Sequence, residues 1–306
     1  MSSTTRRGFL KTSSTALISM AVAGNSLDFI KAKPLLSFST LGCPDWSFEK
    51  ILEFSVANNY DGIELRGILR ELDLTKCPEF INRDKIAETR RKIEDRKLRI
   101  VDLGSSAAMH HPEGADRQKS LDEGKRFIDL AQQLNCPNVR VFPNELPKDD
   151  TRKAVVERIV KGLRELGEYA RGSNVCVVME SHGDAVKTDE LKYIMESAAG
   201  EHTGLVWDVV NMWSVTKEPP AEVYRQLKKY IRHTHIKDAD IAGDKINYVL
   251  LGKGQTPIFD AIDVLYKDGY NGYYSFEWEK MWHPEIAEPE IALADYPRAM
   301  KAHFKF

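Results

Sequence analysis

Four short apolar segments each end in a side chain that is able to bind a divalent metal ion. The segments span residues 175–180, 205–208, 231–235 and 273–277. They are rich in β-branched and aromatic residues, which favour strands. The carboxyl ends of the strands of a parallel α/β barrel converge on one rim, where active sites are built. Oxygen and nitrogen ligands of this kind suit Mn²⁺, Mg²⁺, Co²⁺ or Zn²⁺. The pattern therefore predicts one divalent-metal site formed by the four terminal residues, Glu180, Asp208, His235 and Glu277.

The elements that must position these residues alternate regularly along the chain. Four further β-type runs precede the ligand-bearing ones, at residues 35–40, 62–65, 98–103 and 138–142. Helical stretches follow the eight runs, at residues 47–58, 83–96, 120–134, 151–171, 187–199, 221–229, 257–267 and 291–303. Alternating strands and helices imply a parallel sheet, and eight such units fit a closed barrel. We therefore expect the α/β class and a single (β/α)8 TIM barrel over residues 34–306.

Composition and charge exclude several classes of function. The chain has 306 residues, of which 42% are hydrophobic and 29% charged, and its formal net charge is −2. This balance gives no basic surface for nucleic acid. No apolar run reaches the roughly 18 residues of a membrane span, so stable membrane insertion is not expected. No GxGxxG or GxxxxGK[ST] motif follows a strand, and the four cysteines lack CxxC spacing. Nucleotide cofactors and cysteine chemistry are therefore unsupported.

The N-terminus has the features of an export signal. Residues 5–11 read Thr-Arg-Arg-Gly-Phe-Leu-Lys, and an apolar stretch at 16–23 ends in Ala-Val-Ala. This twin-arginine arrangement predicts a signal peptide and linker over residues 1–33, with a mature chain that begins between Gly24 and Pro34. A disordered basic N-terminus is the alternative. The expected location is the periplasm or another exported compartment, with a soluble mature protein.

Five motifs together resemble the sugar isomerase/epimerase superfamily with the xylose isomerase-like barrel, which includes ketose 3-epimerases and inosose dehydratase. The motifs are DGIELR at 61–66, MESH at 179–182, WDVVN at 207–211, HIKD at 235–238 and FEWE at 276–279. The resemblance covers the chain from about residue 35 to its end. It implies that the four strand-terminal residues are the metal ligands and that Glu180 and Glu277 also act as acid–base groups.

Six residues near the predicted rim are candidates for substrate binding: His182, Asn211, Lys237, Glu64, Trp282 and His283. His182 follows Glu180 by two residues and shares its face of the strand. The epimerases often carry His where this chain has Asn211. Asn hydrogen-bonds a hydroxyl but does not carry a proton. Glu64 has an alternative reading as an ion-pair partner of Arg66.

The segment after the last predicted strand, residues 279–285, contains Trp282 and His283. Trp282 offers a flat apolar face to a sugar ring, and His283 a polar contact. The alternative is a surface loop with a packed Trp. Lys237, two residues after His235, is placed to stabilise an oxyanion.

The predicted function is a divalent-metal-dependent isomerase or epimerase that acts on a free, non-phosphorylated sugar or keto-sugar. The proposed chemistry is proton transfer between Glu180 and Glu277 through an enediolate. The main alternative is a metal-dependent lyase or hydratase acting on 3-keto-glycosides. An endonuclease IV-like phosphodiesterase and a non-catalytic carbohydrate-binding protein are weaker alternatives. The expected partners are a small-molecule carbohydrate and, in a homo-oligomer, other copies of the chain.

Overall fold

Eight parallel strands close into a barrel in the computed structural model, which describes residues 33–144, 152–243 and 245–305. The described strands are β1 (Leu35–Ser39), β2 (Gly62–Leu65), β3 (Arg99–Ala108), β4 (Asn138–Phe142), β5 (Cys176–Glu180), β6 (Thr203–Asp208), β7 (Ile231–Ile236), β8 (Asp238–Ala242), β9 (Lys245–Val249) and β10 (Tyr273–Phe276). The barrel order is β1, β2, β3, β4, β5, β6, β7 and β10, and β10 pairs with β1 to close it. The two remaining strands, β8 and β9, form an antiparallel hairpin. The predicted eight-stranded barrel is confirmed.

Helices cover the outside of the barrel. Those in the described part of the chain are α1 (Phe48–Ala57), α2 (Arg83–Asp95), α3 (Ala115–Leu134), α4 (Arg152–Tyr169), α5 (Thr188–Ser197), α6 (Val209–Thr216), α7 (Pro220–Leu227), α8 (Ile258–Lys267) and α9 (Pro289–Phe304). Apolar stripes on these helices pack against the outward faces of the strands, as in α4, where Val155, Ile159 and Leu163 are buried. The barrel strands are therefore covered on both sides, which explains their nearly continuous apolar sequences.

Local capping sets where several helices begin. The Ser47 hydroxyl accepts a hydrogen bond from the backbone N–H of Lys50 at the start of α1, and Asn82 caps α2 through the N–H of Lys85. These side chains satisfy backbone donors that the first helical turn leaves unpaired. Helix α6 begins directly after β6, because the carboxylate of Asp208 serves as its cap. The sequence did not predict this helix.

The hairpin β8–β9 follows β7 at the carboxyl end of the barrel and was also not predicted. Asp238 holds its base. One carboxylate oxygen of Asp238 accepts hydrogen bonds from the N–H groups of Gly252 and Gly254, at 2.8 and 2.9 Å. The other accepts from the Thr256 hydroxyl at 2.6 Å. Asp238 is therefore an anchor for the segment after β7.

Two predictions concern regions or properties beyond the barrel. The predicted signal peptide and linker fall on residues 1–33, of which 1–32 lie outside the described residues. Among the described helices, none is both long and apolar enough to span a membrane. All four cysteines, Cys43, Cys77, Cys136 and Cys176, are unpaired thiols.

Candidate active site

The four predicted metal ligands meet at the carboxyl ends of β5, β6, β7 and β10. Nδ1 of His235 lies 3.2 Å from a carboxylate oxygen of Glu277, 3.6 Å from one of Glu180 and 3.7 Å from one of Asp208. One ligand atom from each of the four residues lies within 4.8 Å of all the others. The four side chains are buried. Strand register brings two of them together directly, because Asp208 of β6 is paired with His235 of β7.

The imidazole of His235 is oriented by Glu64 from inside the barrel. Nε2 of His235 lies 3.1 Å from Oε2 of Glu64, and Nε2 of His233 lies 2.8 Å from the same oxygen. The Ser275 hydroxyl also donates to that oxygen at 3.0 Å. Burial raises the pKa of Glu64, but the two imidazoles outweigh it and hold this pKa well below its usual value. An ionised carboxylate only accepts hydrogen bonds, so Nε2 of His235 carries the hydrogen.

This arrangement leaves Nδ1 of His235 as the atom that faces the carboxylates. Among the described residues it makes no hydrogen bond of good geometry, and its nearest carboxylate oxygen is that of Glu277 at 3.2 Å. In the neutral imidazole, its lone pair points at the centre of the cluster. A carboxylate that fixes the tautomer of a His from behind is the usual support of a metal-binding imidazole. Burial lowers the pKa of His235, but Glu277, Glu64 and Glu180 raise it well above its usual value, so without another cation the imidazole carries a proton on Nδ1. A metal ion bound by the cluster would take the place of that proton and use the Nδ1 lone pair.

Asp208 and Glu180 are positioned by the helix that follows β6. Oδ1 of Asp208 accepts a hydrogen bond of 2.8 Å from the backbone N–H of Asn211. Its other oxygen, Oδ2, is thereby turned toward the cluster. The side-chain amide of Asn211 donates to Oε1 of Glu180 at 3.2 Å and to the carbonyl oxygen of Ser181 at 3.2 Å. The structure therefore places the predicted residue Asn211 against one of the two acid–base candidates.

Lys237 is a buried cation beside two of the predicted ligands. Its ammonium nitrogen lies 2.8 Å from Asp208, 2.6 Å from Glu277 and 2.6 Å from Glu279. Burial lowers the pKa of Lys237, but the three carboxylates raise it well above its usual value. Burial raises the pKa of Glu279 to about 7, against the lowering effect of Lys237.

Arg140 is the second cation of the site, and the sequence analysis missed it. It is buried on β4, and its Nε lies 3.4 Å from Oε2 of Glu180. Its guanidinium lies 3.8 Å from the ring centre of Phe142, which also contacts the ring of His182 at 4.7 Å. His182 is therefore placed at the rim beside Phe142. An Arg within an otherwise apolar strand was the available signal.

The charges of the site do not balance. Four buried carboxylates, Glu180, Asp208, Glu277 and Glu279, are in ion-pair contact with two cationic side chains, Arg140 and Lys237. The carboxylates therefore outnumber the cationic side chains among these contacts, and the raised pKa of His235 reflects the same excess of negative charge. Burial of a charge without an opposite charge beside it costs free energy of folding. A divalent cation between Nδ1 of His235 and the carboxylates would compensate this excess, so the residues present fit such an ion.

The alternative ion pair between Glu64 and Arg66 is wrong. Arg66 donates instead to the carbonyl oxygen of Gly104 and to the Ser106 hydroxyl, at 3.5 and 3.1 Å. Glu64 has 0% exposure and lies beneath the cluster, where His233 and His235 are closer partners. Its carboxylate positions the imidazole of His235.

Trp282 and His283 lie on the segment that follows β10. Trp282 is exposed, and the ring of His283 lies 5.0 Å from that of Tyr248 on β9. The alternative of a packed Trp is wrong, because 53% of Trp282 is exposed. Tyr248 in turn lies 5.6 Å from the ammonium nitrogen of Lys237.

Comparisons with known proteins agree with this geometry. A sequence model of the family described as xylose isomerase-like TIM barrel matches residues 52–301. A 3-dehydroshikimate dehydratase of Bacillus anthracis is 24% identical over 234 residues, which cover 71% of this chain and 78% of that protein. A fructoselysine 3-epimerase of Shigella flexneri is 24% identical over 173 residues, which cover 55% of this chain and 62% of the epimerase.

Solved structures share the same fold. The crystal structure of IOLI protein with a bound zinc atom superposes with a TM-score of 0.74 and 18% sequence identity. The superposition covers 88% of this chain and 97% of that one.

Proposed function

We propose, from the premise that the chain belongs to the xylose isomerase-like TIM barrel family, that it is a divalent-metal-dependent isomerase or epimerase of a free sugar or keto-sugar. One observation carries the proposal: within the described part of the chain, Nδ1 of His235 has no hydrogen-bond partner and faces the carboxylates of Glu180, Asp208 and Glu277. Those four side chains would hold the ion. Mn²⁺, Mg²⁺, Co²⁺ and Zn²⁺ are the candidates by ligand chemistry.

The two Glu residues are placed for proton transfer. A divalent ion bound by the cluster supplies Lewis-acid polarisation of a carbonyl oxygen. Glu180 and Glu277 approach from β5 and β10, which are separated in the barrel by β6 and β7. One carboxylate removes the proton from the carbon beside the carbonyl, and the electron pair of the broken C–H bond passes into an enediolate of the substrate. The other Glu, in its carboxylic acid form with a proton taken from solvent, gives that proton to the substrate, and the turnover exchanges the protonation states of the pair.

Neighbouring residues support this exchange. Burial raises the pKa of Glu277, but His235 and Lys237 outweigh it and keep this pKa well below its usual value, so Glu277 is ionised and ready to accept a proton. The Lys237 ammonium is positioned to donate a hydrogen bond to a developing oxyanion. Asn211 holds Glu180 in place and carries no proton itself.

A lyase outcome is the second candidate. The dehydratase relative aligns over 234 residues, whereas the epimerase relative aligns over 173. The same proton removal leads to elimination when the substrate carries a leaving oxygen at the adjacent carbon, as in a 3-keto-glycoside. In that case the C–O bond breaks and the oxygen takes up a proton. Product analysis separates the two outcomes, because a lyase releases an aglycone or water and an epimerase releases nothing.

Isotope exchange tests the proton transfer. We expect the metal-loaded protein to exchange a substrate C–H for deuterium in D₂O with one member of a panel of keto-sugars and keto-glycosides, monitored by NMR. Glu180→Gln and Glu277→Gln should each abolish this exchange. Glu222→Gln, at an exposed site on α7, is the matched control and should retain it. Exchange at the wild-type rate in both site variants would refute the mechanism.

Metal content provides an independent test. We expect about one equivalent of a divalent ion by elemental analysis of the purified protein, and a large loss in His235→Ala. Full activity of a metal-free preparation would rule out the proposed chemistry.

We also propose that the chain is exported through its twin-arginine segment. Phosphorylated sugars are intracellular metabolites, so an exported enzyme of this kind would act on non-phosphorylated carbohydrates. N-terminal sequencing of the protein from its native host should give a start between Gly24 and Pro34. An intact Met1 would contradict export with processing.

A further inference from the structure

The segment that follows β10, residues 279–288, is named the rim loop, and hydrogen bonds join several of its own residues. The Lys280 ammonium donates to the carbonyl oxygens of Pro284 and Ile286, at 2.8 and 2.7 Å. The indole N–H of Trp278 donates to the carbonyl oxygen of Ala287 at 3.0 Å. The Lys280 side chain therefore folds back and donates hydrogen bonds to backbone carbonyl groups of its own loop. These hydrogen bonds stabilise the rim loop internally.

The rim loop exposes a large aromatic side chain. Trp282 is 53% exposed, although Trp is among the residues that gain most from burial. Its neighbour His283 packs edge-on against Tyr248, with ring centres 5.0 Å apart. Tyr248 lies 5.6 Å from the Lys237 ammonium. Contacts therefore lead from the buried Lys237 through Tyr248 to His283, and Trp282 is the residue before His283 in the chain.

A strained turn contacts the rim loop through Arg70 and exposes the apolar side chain of the preceding residue. Leu69 and Arg70 follow β2 and have φ angles of +48° and +65°. The left-handed region costs a non-glycine residue about 1–2 kcal/mol. The Arg70 guanidinium bonds both oxygens of Asp45, at 2.6 and 2.8 Å, and lies 3.8 Å from the sulfur of Met281 in the rim loop. Leu69 is 60% exposed at the tip of this turn.

We propose that Tyr248, His283 and Trp282, with Leu69 as a second wall, form a subsite for a flat, apolar-faced group linked to the reacting sugar. Such a face is offered by an aromatic aglycone or by a second sugar ring. The inference rests on the proposed function, because it takes the buried cluster as the place where the first sugar reacts. With this subsite occupied, the expected substrate is a glycoside or a disaccharide derivative instead of a monosaccharide.

Three probes test the subsite: glucose, phenyl glucoside and cellobiose, each titrated into the metal-loaded protein and followed by saturation-transfer NMR. We expect wild-type protein to bind phenyl glucoside, cellobiose or both more tightly than glucose. Trp282→Ala should weaken that binding by about three- to tenfold, the worth of one aromatic contact. Its effect on glucose should stay within about twofold. Tyr193→Ala, an exposed aromatic on α5, is the matched control.

The pattern of losses identifies the occupant. A loss confined to phenyl glucoside indicates an aromatic aglycone, and a loss confined to cellobiose indicates a second sugar ring. The inference is overturned if wild-type protein binds both probes no more tightly than glucose, or if Trp282→Ala leaves their binding unchanged. Proton exchange is scored separately, on the keto-sugars and keto-glycosides: absence of exchange there, with probe binding intact, would refute the proposed function and leave the subsite standing.

Leu69→Asn provides a second variant that does not depend on Trp282. Asn tolerates the left-handed region better than Leu, so this variant should resist urea slightly better than wild type. It should also bind phenyl glucoside more weakly, because an apolar wall is lost. Improved stability with unchanged binding would remove Leu69 from the subsite.

Discussion

The ammonium nitrogen of Lys237 lies 2.6 Å from Oε2 of Glu277, one of the four predicted metal ligands. It also lies 2.8 Å from Oδ2 of Asp208, a second ligand. Lys237 and a metal ion would therefore neutralise the same carboxylates. The lysine supplies part of the positive charge that keeps these acids buried, and an ion would supply the rest.

Replacement of Lys237 by Met should make folding stability depend strongly on metal. The variant keeps most of the side-chain volume but leaves Asp208, Glu277 and Glu279 without their shared cation. Removal of one partner from a buried ion pair costs about 3–5 kcal/mol. We expect a loss of that size by urea unfolding in EDTA, and a much smaller loss in saturating Mn²⁺.

Lys267→Met is the control for this prediction. Lys267 pairs with Asp263 at 3.2 Å on an exposed helix surface. Exposed pairs contribute about 0–1 kcal/mol, so its effect should be small and independent of metal. An equal loss with and without Mn²⁺ in Lys237→Met would show that the lysine and the ion do not share these carboxylates.

Replacement of Glu64 by Gln should weaken metal binding although Glu64 is not a predicted ligand. Oε2 of Glu64 accepts hydrogen bonds from His233, His235 and Ser275, and an amide in its place reproduces this only in part. Loss of a carboxylate behind a metal-binding His costs about 10–100-fold in metal affinity. Competition with a fluorescent chelator measures this. Glu88→Gln, at an exposed ion pair, should leave the affinity unchanged. Equal affinities in the two variants would exclude the positioning role of Glu64.

The sequence was sufficient to predict the barrel and the cluster of four candidate ligands, because each of these residues ends an apolar run and barrel topology brings such ends together. Helix α6 was missed because its β-branched residues do not resemble a helix, and the cap at Asp208 decides its conformation. The Glu64–Arg66 pair was wrong because strand register, which only the folded barrel shows, offers His233 and His235. Arg140 was missed for the same reason: an interior position within a strand is not visible in an apolar run.

Replacement of Asp238 by Ala should loosen the hairpin without disrupting the barrel. Its carboxylate accepts hydrogen bonds from the N–H groups of Gly252 and Gly254 and from the Thr256 hydroxyl. Each bond to a charged group is worth about 1.5–3 kcal/mol. We expect faster amide hydrogen exchange across residues 238–256 and weaker phenyl glucoside binding, because Tyr248 lies on this hairpin. Unchanged exchange rates in that segment would contradict the anchoring role.

Replacement of Gly104 by Ala should impair catalysis and leave metal binding intact. A Cβ at this position would lie 2.6 Å from Cδ of Arg66 and 2.8 Å from Nη2 of Arg140. Both side chains are buried, so they must shift, and overpacking of this kind costs about 1–3 kcal/mol. The shift would move the Arg140 guanidinium away from Glu180, which it approaches to 3.4 Å.

The expected signature is a fall in the rate of C–H exchange at unchanged metal stoichiometry. Among the described residues, Arg140 pairs with Glu180, a proposed acid–base residue, and with none of the other three candidate ligands. Gly200→Ala is the control, since the nearest atom to its Cβ would be 3.6 Å away, an ordinary contact. Loss of the metal in Gly104→Ala would instead mean that Arg140 supports the ion-binding geometry of Glu180 as well as its proton transfer. Exchange at the wild-type rate would mean that the proximity of Arg140 to Glu180 has no catalytic role.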